Sequence, residues 1–127
     1  MNTIVPVLKD ETDEQPIPSS WRNTFSEIVE AFRQGNFGLE GVAGGIRPIS
    51  PEDATRIKGN IVEYGAQLTC LPEATWQTSV CQWMRGYWDV LVDLYTVEEG
   101  SSDLVLSVRV YEDGPTYSFE VESVYVP

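Results

Sequence analysis

The side chains with chemistry in this chain are carboxylates, phenols and two thiols, because histidine is absent. Without imidazole there is no Ser-His-Asp or Cys-His nucleophilic pair, no histidine-ligated metal and no general base of the commonest kind near neutral pH. Paired carboxylates are what remains for acid–base work. Asp89 and Asp93 stand four residues apart in a run of alternating apolar residues, which in a strand separates them by roughly 13 Å. That is too long for a retaining glycosidase pair and wide even for an inverting one. Glu98-Glu99 and Glu112-Asp113 fall in turn compositions, where acids are solvated. The calcium-loop pattern does not occur. Gly38, Gly41, Gly44 and Gly45 lack a preceding strand and a following Lys-Ser/Thr pair, so a tight turn is expected there rather than a phosphate loop. Cys70 and Cys81 have neither metal nor CxxC spacing and are expected to be buried free thiols. The expectation is a protein that is not an enzyme and that takes no metal and no cofactor.

Charge points to binding instead. Twenty acidic residues against eight basic ones give a net of −12. Nucleic acid and anionic membrane surfaces are poor partners for such a chain, because both need a basic patch, and a basic protein is the natural complement. The excess is uneven. From Gly86 to Pro127 there are nine acids and a single base, Arg109, so −8 of the −12 lies in the C-terminal third.

That third must position the charges, and its pattern is plain. Trp88, Val90, Val92 and Leu94 share one parity, Leu104, Leu106, Val108 and Val110 the next, and Tyr117, Phe119, Val121 and Tyr125 the last. Period two with β-branched and aromatic residues predicts half-buried strands, and the turn compositions at 98–102 and 112–115 join them as an antiparallel meander. A further strand is expected within Trp76–Met84, and residues 66–71 are open between strand and loop. Upstream, Trp21, Phe25, Ile28, Val29 and Phe32 form a helical stripe after the capping candidates Ser19 and Ser20. Ser50, Pro51, Glu52 and Asp53 open a second helix with stripe Ala54, Ile57, Ile61 and Val62, which Gly65 closes. The predicted fold is α+β, with two N-terminal helices packed on one face of a four- to five-stranded antiparallel sheet. Residues 1–19 form an arm, whose apolar patch Ile4–Leu8 can dock on the body or on a sheet edge, and 20–127 form a single domain. No apolar run is long enough to span a membrane, and the N-terminus does not read as a signal peptide, so the cytoplasm is expected.

If the first parity set meets the helices, the opposite face carries Tyr87, Asp89, Asp93, Tyr95, Tyr111, Glu120 and Glu122. Tyrosines among acids make a surface suited to a basic protein partner.

The segments Trp76-Gln-Thr-Ser-Val80, Trp88-Asp-Val-Leu-Val-Asp-Leu94 and Glu99-Gly-Ser-Ser-Asp-Leu-Val-Leu106 resemble a family of small bacterial domains of unknown function, the similar part running from about Pro18 to Pro127. That family brings no catalytic residues with it. In size, acidity and layout the chain is also loosely similar to bacterial toxin-immunity proteins, including those of contact-dependent growth inhibition. This second likeness implies a cytosolic inhibitor, monomeric or weakly dimeric, that binds a nuclease toxin domain. Two other readings stand beside it. One is a small-ligand module with an aromatic pocket between sheet and helices, Trp83 and Trp88 near its mouth. The other is a homo-oligomeric interaction scaffold.

Overall fold

The structure is a computed structural model and describes residues 7–127, so most of the Ile4–Leu8 patch lies outside the described residues. The meander forms as its periodicity dictates. Trp88–Thr96 (β3), Gly100–Asp113 (β4) and Thr116–Tyr125 (β5) pair in antiparallel register, and burial along the first of them alternates at every residue. Val80–Trp83 (β2) pairs with β3, and a two-residue strand, Gln15–Pro16 (β1), completes the order β1-β2-β3-β4-β5. The outermost strand thus comes from the arm, and Pro16 at that edge has no amide hydrogen to offer a neighbouring chain.

One parity expectation fails for a local reason. A bulge in the β4–β5 pairing between Ser107 and Val108 inserts an extra residue near Glu122. Beyond it the side chains change faces, so Val124 is buried and Tyr125 is exposed.

Two helices precede the sheet's four longer strands, as the α+β pattern predicts. Ser19–Arg33 (α1) buries Trp21, Phe25, Ile28, Val29 and Phe32 in one core with Trp88, Val90, Val92, Leu94, Leu106 and Val108. Burial of each such side chain contributes about 2 kcal/mol relative to exposure. No serine caps α1. Pro18 holds the cap position, and its carbonyl accepts from the Trp21 amide at 3.0 Å. Pro51–Tyr64 (α2) starts as expected, with Ser50 Oγ accepting from the Asp53 amide and Pro51 at the first position, and it ends at left-handed Gly65. Its stripe is narrower than the sequence suggests. Ile57 and Ile61 are buried, but Val62 is 68% exposed.

The strand expected over Trp76–Met84 starts late. Glu73–Gln77 is a 3-10 turn, and its end takes over the edge of β3 where β2 stops: Ser79 Oγ accepts from the Asp93 amide, and the Thr75 hydroxyl donates to the Asp93 carbonyl. Residues 67–69 extend this cover through an isolated bridge between Leu68 and Thr96, which is all that becomes of the open 66–71 segment. Cys81 is buried as expected, whereas Cys70 is exposed, and both are free.

The β5 edge is closed by two pieces of chain. Gly45 and Arg47 bracket Phe119 in a short parallel bridge, with both amide-to-carbonyl distances at 2.9 Å. Farther along, Arg56 and Asn60 of α2 donate to the Glu122 and Val124 carbonyls. The arm is also tied down. The Trp88 indole donates to the Leu8 carbonyl at 3.1 Å, Gln82 donates to the Glu11 carbonyl, Lys9 pairs with Glu112, and Ile17 is fully buried.

Candidate functional site

The face of the sheet away from the core holds the residues singled out above, and it divides them into two groups. Register places Asp89 opposite Arg109 and Arg109 opposite Glu120. Around that row Tyr87, Tyr111, Glu120 and Glu122 come together. The Tyr87 and Tyr111 rings lie 5.7 Å apart between centroids. Arg109 sits 4.6 Å over Tyr87 and pairs with Glu122 at 2.9 Å. Arg47 sits 4.7 Å over Tyr111, pairs with Glu120 at 2.8 Å and donates to the Ser118 hydroxyl. Each phenol is thereby held under a guanidinium, a cation–π contact that fixes the ring at low entropic cost.

Asp93 and Tyr95 stand apart, toward the far end of β3. The Thr78 hydroxyl donates to the Asp93 carboxylate, and Tyr95 pairs across the sheet with Ser101. All seven residues are partly exposed. Among the described residues neither Asp89 nor Asp93 forms an ion pair, so these two carry the uncompensated negative charge of the face.

Titration follows the packing. Burial lifts the Glu122 carboxyl above the usual range and Glu120 adds to this, while Arg109 opposes both. A hydrogen bond to Tyr111 and the charge of Glu122 hold Arg109 protonated more firmly than usual. The face therefore carries two paired opposite charges, Arg47–Glu120 and Arg109–Glu122, beside the unpaired Asp89 and Asp93. Among the described residues no group of three or more Asp, Glu or Cys is disposed to hold a metal ion, and no helix is long and apolar enough to cross a membrane.

The residue that sequence reasoning missed is Arg47. It lies in the glycine-rich segment, 73 residues from Glu120 in the chain, and periodicity carries no signal for a contact of that kind. The only local hint is the Gly44-Gly45 pair ahead of Ile46-Arg47, which permits a close backbone approach to the sheet edge. A second acidic group gathers at the β3–β4 hairpin. There Tyr64 Oη accepts from the Asp103 amide, the neighbouring Glu99 raises the tyrosine's pKa, and Glu98 accepts from the Gln67 amide.

Fold and face together define a small acidic α+β domain with an open, charged sheet surface. The chain belongs to the family described as a domain of unknown function (DUF7668), which matches residues 29–127. The match opens inside α1, so the arm, β1 and the first turns of that helix precede it. No curated protein and no solved structure matches the chain.

Proposed function

We propose that the protein is an acidic inhibitor of the toxin-immunity type, acting in the cytoplasm and without catalysis of its own, which docks a basic protein on the open sheet face. The observation that carries this reading is the charge distribution: −8 of the net −12 belongs to residues 86–127, the stretch that contains the three long strands. A nuclease domain presents a basic surface to phosphate, and a strongly acidic domain complements that surface and steers the encounter. The guanidinium-stacked phenols add apolar area that is already ordered, which limits the entropy lost on docking.

The test is binding to the polypeptide encoded beside this chain's gene, followed by interferometry across a salt series. Association faster at low salt, slowed about tenfold or more between 50 and 500 mM NaCl, is the expected result. Asp93→Lys should slow association and Tyr95→Ala should speed dissociation. Unchanged binding in both variants and in Glu120→Lys would exclude this face. Rates independent of salt would exclude electrostatic steering.

A further inference from the structure

The two most exposed large apolar side chains among the described residues, Val62 at 68% and Val97 at 66%, line one groove. It holds about 460 Å3 at the end of the helix layer, between the last turns of α1 and α2 and the β3–β4 hairpin. Phe37, Ile61, Ala66 and Leu68 also line it. Phe37 is held in place by stacking on Phe32, 5.4 Å between ring centroids at 19°. The opening has its origin in α2. The apolar stripe of that helix runs through Ile57, Ile61 and Val62, but the core takes only the two isoleucines, so the end of the stripe has no covering element. Aliphatic side chains gathered at a concave surface, rather than scattered singly, mark an interaction site.

Charge and hydrogen bonding decide what fits there. Arg33 is the one base lining the groove, and it is spent inside the fold: its Nε donates to the Leu68 carbonyl at 3.3 Å, and it pairs with Glu30 at 2.7 Å. The acids at the lips are not met in this way. Glu63 follows Val62, Glu98 follows Val97 and accepts from the Gln67 amide at 2.8 Å, and Glu99 and Asp103 gather at Tyr64. Among the described residues none of these four acids forms an ion pair. Lys58, one turn before Val62 on α2, offsets one of them. The surplus is negative and selects a basic occupant, while the net charge of −12 sets a second copy of the chain against itself. The backbone beside the groove is already engaged, since the Gln67 amide and the Leu68 carbonyl both have side-chain partners. An added strand would have to displace them, whereas a helix needs only side-chain contact.

We propose that this groove docks an amphipathic helix of a basic protein, its apolar stripe on Val62 and Val97 and its lysines or arginines toward Glu63 and Glu98. The proposal does not rest on the inhibitor reading and uses no residue of the sheet face. The groove is also distinct from the aromatic pocket expected near Trp83 and Trp88; the arm lies over those two rings, with Lys9 Nζ 5.0 Å from the Trp83 ring centre.

The experiment titrates the full chain at low salt with a synthetic peptide of about 14 residues, roughly four helical turns. The peptide is made of leucine at helical spacing and lysine elsewhere, and a twin carries glutamate in place of lysine. In 15N–1H spectra the lysine peptide should shift the Val62, Ala66, Gln67 and Val97 amides, and the glutamate twin should shift none of them. Val62→Glu and Val97→Glu sit at exposed positions and leave the fold intact. Each should weaken binding of the lysine peptide about tenfold, the worth of burying one valine side chain, although each adds an acid that attraction by charge alone would reward. Glu63→Lys should weaken binding severalfold. Unchanged or tighter binding in the two valine variants would overturn the groove as the site. So would groove amides that stay still at millimolar peptide, or shifts confined to the sheet face. A dimer of the chain in sedimentation that Val62→Glu dissociates would give the groove to a second copy and overturn the basic partner.

Discussion

Gly45→Ala, set against Gly44→Ala, tests how the chain places Arg47 on the sheet face. Both glycines have left-handed backbones, with φ of +91° at Gly44 and +79° at Gly45. An alanine at either costs about 1 kcal/mol for that conformation alone. At Gly44 the new methyl meets nothing within 4 Å, so the cost stops there. At Gly45 the methyl would stand 2.4 Å from the Tyr117 carbonyl oxygen and 3.5 Å from its carbon. The obstacle is strand backbone, which cannot rotate away as a flexible side chain can. Overpacking of this kind adds about 1–3 kcal/mol, giving about 2–4 kcal/mol in all. For a chain of this length 1 kcal/mol moves the melting temperature by roughly 3–5 °C. Thermal unfolding followed by circular dichroism should therefore drop by about 4 °C for Gly44→Ala and by about 10–15 °C for Gly45→Ala. The Arg47–Glu120 pair cannot account for the difference. Its side chains are 46% and 37% exposed, and such a pair is worth at most about 1 kcal/mol. Arg47→Ala should accordingly cost less than Gly45→Ala, and in spectra of Gly45→Ala the Phe119 amide, which donates to the Gly45 carbonyl, should shift. Equal losses from the two glycine variants would refute the close approach and, with it, this account of how Arg47 is positioned.

Four further outcomes follow from the packing and the charge. A thiol reagent should label exposed Cys70 rapidly and leave Cys81, 1% exposed, protected until the protein unfolds, which mass spectrometry of timed aliquots reads directly. Burial pushes the Cys81 thiol up to about 11 from an ordinary 9.0. Between those pH values the folded chain keeps a proton that the unfolded chain releases, so stability should fall with rising pH by about 1.4 kcal/mol per unit, and Cys81→Ala should remove that slope in urea titrations. Ser50→Ala removes the side-chain acceptor for the Asp53 amide at the start of α2 and should cost about 1 kcal/mol in the same titrations. Raising NaCl from 10 to 150 mM should raise the melting temperature, because ion pairs at 2.7–3.3 Å survive a Debye length of about 8 Å while longer-range repulsion among the −12 excess is screened; a fall would show that the pairs dominate.

The meander, both helices and the two-layer α+β plan were legible because each rests on a short period repeated over many residues. Trp88 to Leu94 alternates without a break, and Trp21 to Phe32 keeps one helical stripe. What escaped were features set by a single residue or by contacts distant in sequence. The bulge near Glu122 reverses the parity of Val124 and Tyr125, and no composition signal marks it. β1 is two residues long and contains a proline, so it exists only because β2 offers an edge. Of the candidate face, the acids and phenols could be placed from strand parity alone, and they do lie partly exposed. That Tyr87, Tyr111, Glu120 and Glu122 would be organised by two arginines, while Asp93 and Tyr95 stand apart, depends on a loop–edge bridge that period-two reasoning does not see.

The few cations show what the acidic excess leaves for a partner. Six of the eight basic residues form ion pairs, and four of those pairs join separate parts of the chain: Lys9 to Glu112, Arg85 to Glu11, Arg47 to Glu120 and Arg109 to Glu122. Each pair is at the surface and individually weak, so their placement matters more than their energy. They tie the arm and the glycine segment to the sheet and stack over the tyrosines of its open face. This organisation meets the charge of Glu120 and Glu122 on the face and leaves Asp89 and Asp93, with Glu98, Glu99 and Asp103 at the β3–β4 hairpin, among the acids without a cation. A basic partner steered by the whole field would thus meet its strongest attraction along β3 and its outgoing turn, and the ordered phenols would supply contact area beside it. Charge reversal at Asp93 should for that reason slow association more than reversal at Glu120, whose charge Arg47 already meets.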